Sequence, residues 1–484
     1  MDNARKQPAS AREPARGSQA KSDPIDLWPK KLPPETIILG FTGSLGSGCT
    51  FLSEEVARLQ DFLHYELSTP IRDQAKAEKD DSYLNKQRIG NRLRQEGGLE
   101  ALAVKAIKHA DETWEGHPYK GLILSGIRNM GEVRLLRQFP NFFLFSIHAG
   151  RATRLERLTT AGKVTNDAQF DEIDRHDSEE KFSHGQQVKR CNYAADVIFN
   201  NDDKIPSTAP ERKEQFVREK FVQKYVSLIQ RLLRGEPTHE YLPSVNEAFM
   251  TLAYCESTRS ACLKRKVGAI IALIRKGHNP DREYGTVIAS GHNDVPDGQE
   301  PCVFARGIEG CYRDKLQERY AKQLKHCPGC GSLINKQSTC ANCQAEISEF
   351  VKSCPSCGKD PEIECLCSNS NCEYHSSDLY SLFVPGSSSS TGKLLDMCRA
   401  LHGEENAIIS LARNGCRLTD DAVLFTTTFP CNLCANKIAE VGIKKVVYAE
   451  PYPMPEAVDT LKRREVEVEK FEGVKSSAFF RLYQ

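Results

Sequence analysis

No run of apolar residues in this sequence approaches the roughly 20 that a membrane-spanning helix needs. The first residues also lack the apolar core of a secretory signal, although they carry several charges. We therefore expect a cytoplasmic protein that has no membrane partner.

The sequence also lacks a net charge of either sign. Its 66 Lys and Arg residues nearly balance 65 Asp and Glu residues, which leaves a formal charge of +1 at pH 7. Proteins that hold a long polyanion carry a marked basic surface, so this balance argues against such a partner. A small anionic ligand needs only a local cationic pocket and stays compatible with the composition.

Large apolar side chains are almost absent from residues 1 to about 30, which are rich in Ala, Arg, Lys, Ser and Pro. We therefore expect residues 1–34 to form a disordered tail, with a weak interaction arm as the alternative. The rest has a globular composition. Its length favours two or three domains, at roughly 150 residues for each.

Cysteine, by contrast, is plentiful, and two short stretches near the end carry the clearest chemistry. Most of the 19 cysteines stand in C-x-x-C pairs, which in a cytosolic protein indicates metal binding rather than disulfides. His402-Gly-Glu404 and Pro430-Cys431-Asn-Leu-Cys434 together read H-x-E and P-C-x-x-C. This pattern is typical of zinc-dependent base deaminases.

The residue types of this pattern suit hydrolysis at a metal. One imidazole and two thiolates, from His402, Cys431 and Cys434, hold Zn²⁺ and leave a fourth position open for water, whose pKa the metal lowers. Glu404 is then the catalytic group that carries a proton from the water to the substrate ring and to the leaving ammonia. The alternative is a structural zinc site or a chance match, but a closed structural site has no use for the Glu or the Pro.

The local patterns predict how these residues are presented. A helix is expected to begin near His402, and a second helix to begin at Pro430 with both cysteines in its first turn. Val446–Tyr448 is expected to be a strand. Two helix N-termini would then meet at the metal, where their dipoles favour thiolate and hydroxide.

A glycine-rich loop marks a second candidate site. A buried strand over 36–41 leads into the loop from Gly43 to Gly48, and an amphipathic helix with Leu52, Val56, Leu59 and Leu63 follows. Strand, glycine loop and helix form the phosphate-loop arrangement, with Thr50 available for Mg²⁺. However, Cys49 stands where the phosphate loop has Lys. We therefore predict nucleotide binding without phosphoryl transfer, with a ligand-free glycine turn as the alternative.

Residues 35–235 resemble small nucleoside-monophosphate kinases and dephospho-CoA kinase. Strands at 121–125 and 141–147, a charged lid-like segment at 174–177 and a last strand at 195–200 carry the resemblance. Those kinases usually have Asp where Ser125 stands, which is a second departure from a working kinase site. Arg151, Arg154 and Arg157 are read either as a phosphate sensor or as a solvated helix face.

From about residue 243 to 484 the sequence resembles the deoxycytidylate deaminase domain. A basic segment, Lys264-Arg265-Lys266, precedes Val-Gly-Ala, and Gly291-His-Asn293-Asp-Val-Pro296 follows. The resemblance implies that Asn293 and Asn406 bind substrate, and Arg265 is our candidate for the phosphate end. Gly403 replaces the Ala usual in that family, a change expected to leave more room beside the zinc.

An insertion at residues 314–392 interrupts this domain. Two C-x-x-C turns nine residues apart predict a structural zinc ribbon, because two such turns close a tetrahedral site; its ligands are Cys327, Cys330, Cys340 and Cys343. A second ribbon begins at Cys354 and Cys357. Cys367 and Cys372 are preferred as its other ligands over Cys365 and His375, although the spacing leaves this open. A stabilising or regulatory insertion is favoured over nucleic-acid binding.

The whole pattern resembles anti-phage dCTP deaminases. It implies an α/β protein with an N-terminal kinase-like parallel sheet and a C-terminal cytidine-deaminase-like α/β/α domain that carries the zinc-ribbon insertion. The resemblance implies zinc-dependent hydrolytic deamination of free dCTP or dCMP, which would deplete dCTP during phage infection. We also expect a homo-oligomer, a nucleotide effector at the kinase-like domain and an inhibitory partner. The alternatives are a polynucleotide cytosine editor and a nucleotide sensor.

Overall fold

The computed structural model divides into two compact units, residues 1–238 and 239–484. The structure describes residues 29–114, 119–178, 183–203, 210–234, 242–277, 283–304, 310–314, 398–451, 454–475 and 478. Both units are built from helices and strands in alternation, so the chain is an α/β protein. None of the helices in these ranges is long and apolar enough to cross a membrane.

Unit 1 has a parallel sheet at its centre, with strands in the order β5-β4-β1-β3-β2. The strands are β1 (Ile37–Thr42), β2 (Leu63–Glu66), β3 (Gly121–Ser125), β4 (Phe142–His148) and β5 (Val197–Asn200). Strands β3 and β4 are buried along their whole length. Near-continuous apolar runs of this kind are expected for parallel strands, because helices cover both faces of the sheet.

The helices of unit 1 follow the strands in the usual alternating order. They are α1 (Cys49–Gln60), α2 (Thr69–Ala77), α3 (Tyr83–Gly97), α4 (Ala101–Trp114), α5 (Met130–Leu136), α6 (Arg151–Thr160), α7 (Asp167–Ser178), α8 (Val188–Ala194), α9 (Pro210–Val217), a π-helical segment (Arg218–Val226) and α10 (Ser227–Leu233). Phe221 of the π-helical segment packs on Phe41, Phe145 and Phe199 of the sheet. This aromatic cluster closes one side of the core.

The first helix is shorter than its apolar pattern predicts. Asp61 adopts a left-handed conformation, with φ 58°, and its N–H bonds to the Ala57 carbonyl, which ends α1 at Gln60. Leu63 therefore lies in strand β2 rather than in the helix, and the expectation that placed it there was wrong. A buried Leu at this spacing fits either element, so periodicity alone could not decide.

Unit 2 contains a mixed sheet with strands in the order β10-β9-β8-β6-β7. Strand β6 pairs antiparallel with both neighbours, whereas β8, β9 and β10 run parallel to one another. The strands of this unit are β6 (Gly268–Lys276), β7 (Glu283–His292), β8 (Ala422–Thr428), β9 (Lys445–Glu450), β10 (Glu467–Lys470) and the short β11 (Gly473–Val474).

Four named helices accompany this sheet in the described part of unit 2. They are α11 (Val245–Thr258), α12 (Gly403–Arg413), α13 (Asn432–Val441) and α14 (Pro455–Arg463). Helix α11 begins with a capping box in which Ser244 and Glu247 bond each other's backbone N–H groups. Leu411 of α12 and Ile438 of α13 share one apolar cluster with Ile271, Leu424 and Val446 of the sheet. This packing fixes the positions at which α12 and α13 begin.

Candidate active site

Two cysteines lie where β8 leads into α13. All seven residues of β8 are buried, so the end of the strand is held firmly in the sheet. Cys431 is the N-cap of α13, with extended backbone angles, and Cys434 lies in the first turn. The helix therefore begins at Asn432, two residues later than predicted from Pro430. The reason is that Cys431 stays in the extended conformation that an N-cap requires.

His402 approaches the two cysteines from the start of α12. It is the N-cap of that helix, and the Glu405 carboxylate accepts a hydrogen bond from its backbone N–H at 3.3 Å. Its Nδ1 lies 3.2 Å from Cys431 Sγ and 3.4 Å from Cys434 Sγ. Lys437 of α13 bonds Glu405 at 2.7 Å and ties the two helix starts together. The structure thus brings His402, Cys431 and Cys434 to one point.

The donor set at this point is suited to zinc. Among the residues that the structure describes, these three form the one cluster of three or more His, Cys, Asp or Glu ligand atoms, all within 4.8 Å of one another. A hydrogen bond with the Cys434 thiol, helped by the His402 imidazole, lowers the pKa of Cys431 to about 4 despite its burial. The Cys431 thiolate and the His402 imidazole beside it are the kinds of sulfur and nitrogen ligand that Zn²⁺ prefers.

Glu404 is the second residue of α12 and is almost completely buried, at 3% exposure. Burial raises the pKa of its carboxyl group above the ordinary value, while the nearby His402 opposes the shift. A shift in this direction brings a carboxyl group closer to the working range of a group that both accepts and releases a proton. The hydroxyl of Thr426, on β8, lies 3.4 Å from Glu404 Oε1. Thr426 could not be identified from the sequence, since a Thr within a buried strand carries no distinctive signal.

Gly403 does not leave open space beside the cluster. A Cβ atom at this position would lie 2.9 Å from the Val267 carbonyl oxygen and 3.2 Å from Val267 Cγ1. The room expected from the replacement of Ala by Gly is therefore taken by Val267. Val267, just before β6, lies so close to position 403 that a glycine fits there best. The glycine does not mark a wider cavity.

The predicted substrate residues also lie around this segment. Asn293 is buried, and its side-chain amide accepts from the Val267 N–H at 2.7 Å and donates to the Arg265 carbonyl at 2.8 Å. Asn406 donates to the His292 carbonyl at 2.7 Å. Both amides thus hold the backbone, and Arg265 itself is half-buried. Asn293 fixes the basic segment beside the start of α12.

The glycine loop of unit 1 connects the end of β1 with the start of α1. Gly46 and Gly48 have φ of 82° and 92°, a left-handed conformation that side chains resist. A Cβ at Gly43 would lie 2.5 Å from the Ile147 carbonyl oxygen. Thr50 is exposed in the first turn of α1. Its role as a Mg²⁺ ligand stays a prediction.

Polar groups around this loop depart from those of a kinase. Burial raises the pKa of the Cys49 thiol to about 11, so it supplies no charge. Ser125, where the kinases have Asp, is 3.0 Å from His64 Nε2 in a neutral pair, and burial lowers the pKa of His64. Arg154 and Arg157 donate to loop carbonyls, of Leu45 and of Gly46, at 3.3 and 3.4 Å.

The zinc-ribbon predictions concern residues outside those that the structure describes. All eight proposed ligands, from Cys327 to Cys372, fall there. The ribbons therefore stay predictions from cysteine spacing. The described cysteines nearest in sequence, Cys302, Cys311 and Cys398, are each partly buried free thiols.

A family model now links this geometry to a reaction class. Residues 243–450 match the cytidine and deoxycytidylate deaminase zinc-binding region. The matched range includes His402, Glu404, Cys431 and Cys434. The protein is an enzyme with a deaminase domain. The prediction of deaminase chemistry is thereby confirmed.

Two relatives show similarity to this chain. A deoxycytidylate deaminase of Schizosaccharomyces pombe is 24% identical over 334 residues, which span 69% of this chain and 70% of that protein. A UPF0200 protein of Methanococcus maripaludis is 28% identical over 167 residues, 32% of this chain and 85% of that protein.

The chain is also similar to solved structures, among them a dCMP deaminase. The crystal structure of dCMP deaminase from the cyanophage S-TIM5 is 21% identical and covers 48% of this chain and 100% of its own. The TM-score is 0.23, which is too low to establish a shared fold by itself.

Proposed function

We propose that this enzyme deaminates free deoxycytidine nucleotides, converting dCTP or dCMP to dUTP or dUMP. The observation that carries the proposal is the cluster of His402, Cys431 and Cys434 with the buried carboxyl group of Glu404 beside it. The match of residues 243–450 to the deaminase family supports the same reaction.

Zinc is the metal that we propose for the cluster. His402 Nδ1 and the Sγ atoms of Cys431 and Cys434 are its ligands, and this set of one nitrogen and two sulfurs is typical of catalytic zinc sites. When bound, zinc acts as a Lewis acid that lowers the pKa of a water molecule toward neutrality. The N-termini of α12 and α13 meet at this point, and the positive ends of their helix dipoles favour the thiolate forms of the cysteines.

Glu404 moves the protons of the reaction. Hydrolysis adds the oxygen of water to C4 of the cytosine ring and breaks the bond from C4 to the amino nitrogen. Glu404 accepts a proton from water, gives it to the ring nitrogen N3, and then transfers a proton to the departing amine, which leaves as ammonia. Its raised pKa suits both halves of this task.

The groups around Asn293 are proposed to determine which substrate binds. Lys264 is exposed but forms an ion pair with Asp314, whereas Lys266 is exposed and Arg265 is half-buried, so Lys266 and Arg265 are the cations proposed to meet a phosphate. Asn293 holds that segment through the backbone of Arg265 and Val267, and Val267 contacts Gly403 beside the zinc ligands. Free nucleotides, rather than a polynucleotide, fit this local charge in a chain of formal charge +1.

The reaction is tested by ammonia release from purified, zinc-loaded protein. Free dCMP and dCTP are compared with a single-stranded oligonucleotide that contains cytosine, and the nucleotide products are identified by chromatography. We expect turnover of at least one free nucleotide and none of the oligonucleotide. Turnover of the oligonucleotide alone would identify a polynucleotide editor, and absence of turnover on all three would contradict the proposal.

For the role in the cell we propose depletion of dCTP during phage infection. Uncontrolled deamination would drain a nucleotide that the cell needs, so a brake is part of the proposal. The kinase-like unit, through a nucleotide effector, and the cysteine-rich insertion, through an inhibitory partner, are the regions left to supply it. Wild-type protein should lower cellular dCTP and raise dUMP after infection. Protection from phage with unchanged nucleotide pools would refute this role.

A further inference from the structure

A carboxylate of the chain itself lies on the glycine loop of unit 1. Asp177, on helix α7, accepts a hydrogen bond from the backbone N–H of Leu45 at 3.1 Å. Its side chain is completely buried. Backbone N–H groups of such loops are the groups that bind phosphate oxygens. An anion therefore already occupies at least one of the donors that the loop offers.

Two further donors converge on the same carboxylate. The guanidinium group of Arg128 forms an ion pair with Asp177 Oδ1, and the Tyr83 hydroxyl donates to that oxygen at 3.1 Å. A backbone N–H, a guanidinium group and a hydroxyl, all turned to one buried anion, are equally a set of donors for a phosphate group. The arrangement is thus an anion site whose occupant is Asp177.

A spare donor lies on the helix that carries Tyr83. Gln87 is one turn further along α3, on the same face, and is buried at 6% exposure. Its Nε2 has no hydrogen-bond partner in the part of the chain that the structure describes. Buried polar groups are normally paired, so we take Gln87 as a further donor for a ligand that replaces Asp177.

Helix α7 is held on the loop by a second carboxylate one turn earlier. Asp174 makes two hydrogen bonds with Arg154, at 2.5 and 2.9 Å, and Arg154 also donates to the Leu45 carbonyl. Asp177 and Asp174 therefore bind α7 to the loop as a cover. Cys49 stands in place of a lysine and is neutral, so it adds no positive charge here. The positive charge that pairs with Asp177 comes from Arg128.

We propose that Asp177 is an internal occupant of the anion site on the glycine loop, and that a phosphate-bearing ligand binds there only by displacing it. Two anions cannot share the Leu45 N–H and Arg128, since their repulsion is strong in a buried site. Entry of the ligand therefore detaches the end of α7 from the loop. Ligand binding to unit 1 is in this way coupled to a movement of α7.

The test is the affinity for tripolyphosphate, measured by calorimetry on the full-length protein. Asp177→Asn keeps the shape of the side chain and removes its charge. The control is Asp171→Asn, which removes an equal charge from the same helix at an exposed residue that pairs with Arg151. We expect Asp177→Asn to bind tripolyphosphate at least about tenfold tighter than wild type, because the ligand no longer competes with a charged carboxylate for the same donors. The affinity of the control should stay within about twofold of wild type.

Equal affinity of wild type and Asp177→Asn, or no binding to either, would overturn the proposal. Hydrogen exchange of the wild-type protein decides the matter if the variant does not fold. Saturating tripolyphosphate should protect amides of residues 43–48 and speed exchange in residues 167–178. Protection of both segments, or no change in either, would show that α7 stays in place.

Discussion

The two units each place a cysteine where a strand leads into a helix, and the two thiols behave in opposite ways. Cys49 is the first residue of α1, and burial raises its pKa to about 11. Cys431 is the N-cap of α13, and its pKa is lowered to about 4 by the Cys434 thiol first and the His402 imidazole second. Both are near the positive end of a helix dipole, which alone lowers thiol pKa values.

The comparison shows that the neighbours, rather than the helix start, decide the chemistry. Cys431 has the Cys434 thiol of its own helix and the His402 imidazole of α12 beside it, so its charge is stabilised. Cys49 has Ser47 Oγ at 3.5 Å, and this bond does not offset the loss of solvent. In unit 1 the negative charge at the loop comes from Asp177 instead. One site is therefore prepared for a cation and the other is closed by an internal anion.

The largest effect that we predict is on catalysis in unit 2. Glu404→Ala should lower kcat by at least about 10³-fold, in the range of a lost general acid and base, while the zinc content stays unchanged. Glu405→Gln is the matched control, because Glu405 caps α12 through the His402 N–H and pairs with Lys437. It should keep activity within about threefold of wild type, since an amide oxygen still caps the helix. Substantial turnover by Glu404→Ala would mean that another group moves the proton.

The thiol comparison itself can be tested by alkylation of zinc-free protein, followed residue by residue with mass spectrometry. At pH 7 the Cys431 group is mostly thiolate and Cys49 mostly thiol, which favours Cys431 by about 10⁴ in thiolate fraction, while the weaker nucleophilicity of an acidic thiolate takes back about 10³. Cys431 should therefore react about tenfold faster with iodoacetamide. The rate at Cys49 should keep rising with pH until about pH 11, whereas the rate at Cys431 should stay level above pH 7. Equal rates at pH 7 would remove the contrast between the two helix starts.

Metal analysis extends the comparison to the insertion. The folded protein should hold about three zinc ions for each chain, one at the active site and two in the ribbons. Cys431→Ser should remove the first and abolish turnover, whereas Cys327→Ser should remove one ribbon zinc and leave the active-site zinc bound. A single zinc in the fully folded wild type would rule out two ribbons.

The smallest predicted effect is on stability. A Cβ at Gly291 would lie 2.2 Å from the Ala407 backbone nitrogen and 2.6 Å from the Gly403 carbonyl oxygen. Gly291→Ala should therefore lower the free energy of unfolding by about 2 kcal/mol or more, as overpacking does. Gly403→Ala meets Val267 at 2.9 Å and should cost less, about 1 kcal/mol. Urea denaturation of both variants gives the comparison, and an equal cost would show that β7 moves freely away from α12.

Much of the fold follows from local patterns in the sequence. The apolar runs that become β1, β3 and β4 are long enough to be recognised as buried strands, and the glycine loop marks the start of α1. The end of α1 was missed, because the left-handed residue Asp61 is one of several polar residues that could have ended it. Leu63 has the same hydrophobicity in a helix and in a strand, so only its pairing with β3 assigns it.

That His402, Cys431 and Cys434 belong to one candidate metal site could be predicted at the level of residue types. His402, Glu404, Cys431 and Cys434 were identified from spacing, since a zinc-dependent hydrolysis needs those donors and that carboxyl group. The packing around them could not be predicted. That Val267 fills the space at Gly403, and that Asn293 holds the backbone of Arg265, depends on β6, β7 and α12 meeting in three dimensions.

The sequence by itself determined the donor set of unit 2 and the absence of a lysine from the loop of unit 1, because both are properties of single residues at fixed spacing. Only the tertiary structure decided the charges at those sites. Cys431 and His402 are 29 residues apart in the chain, and Leu45 and Asp177 are 132 apart. A pKa shift or an occupied N–H group depends on distance and burial, which exist only after such segments have packed together.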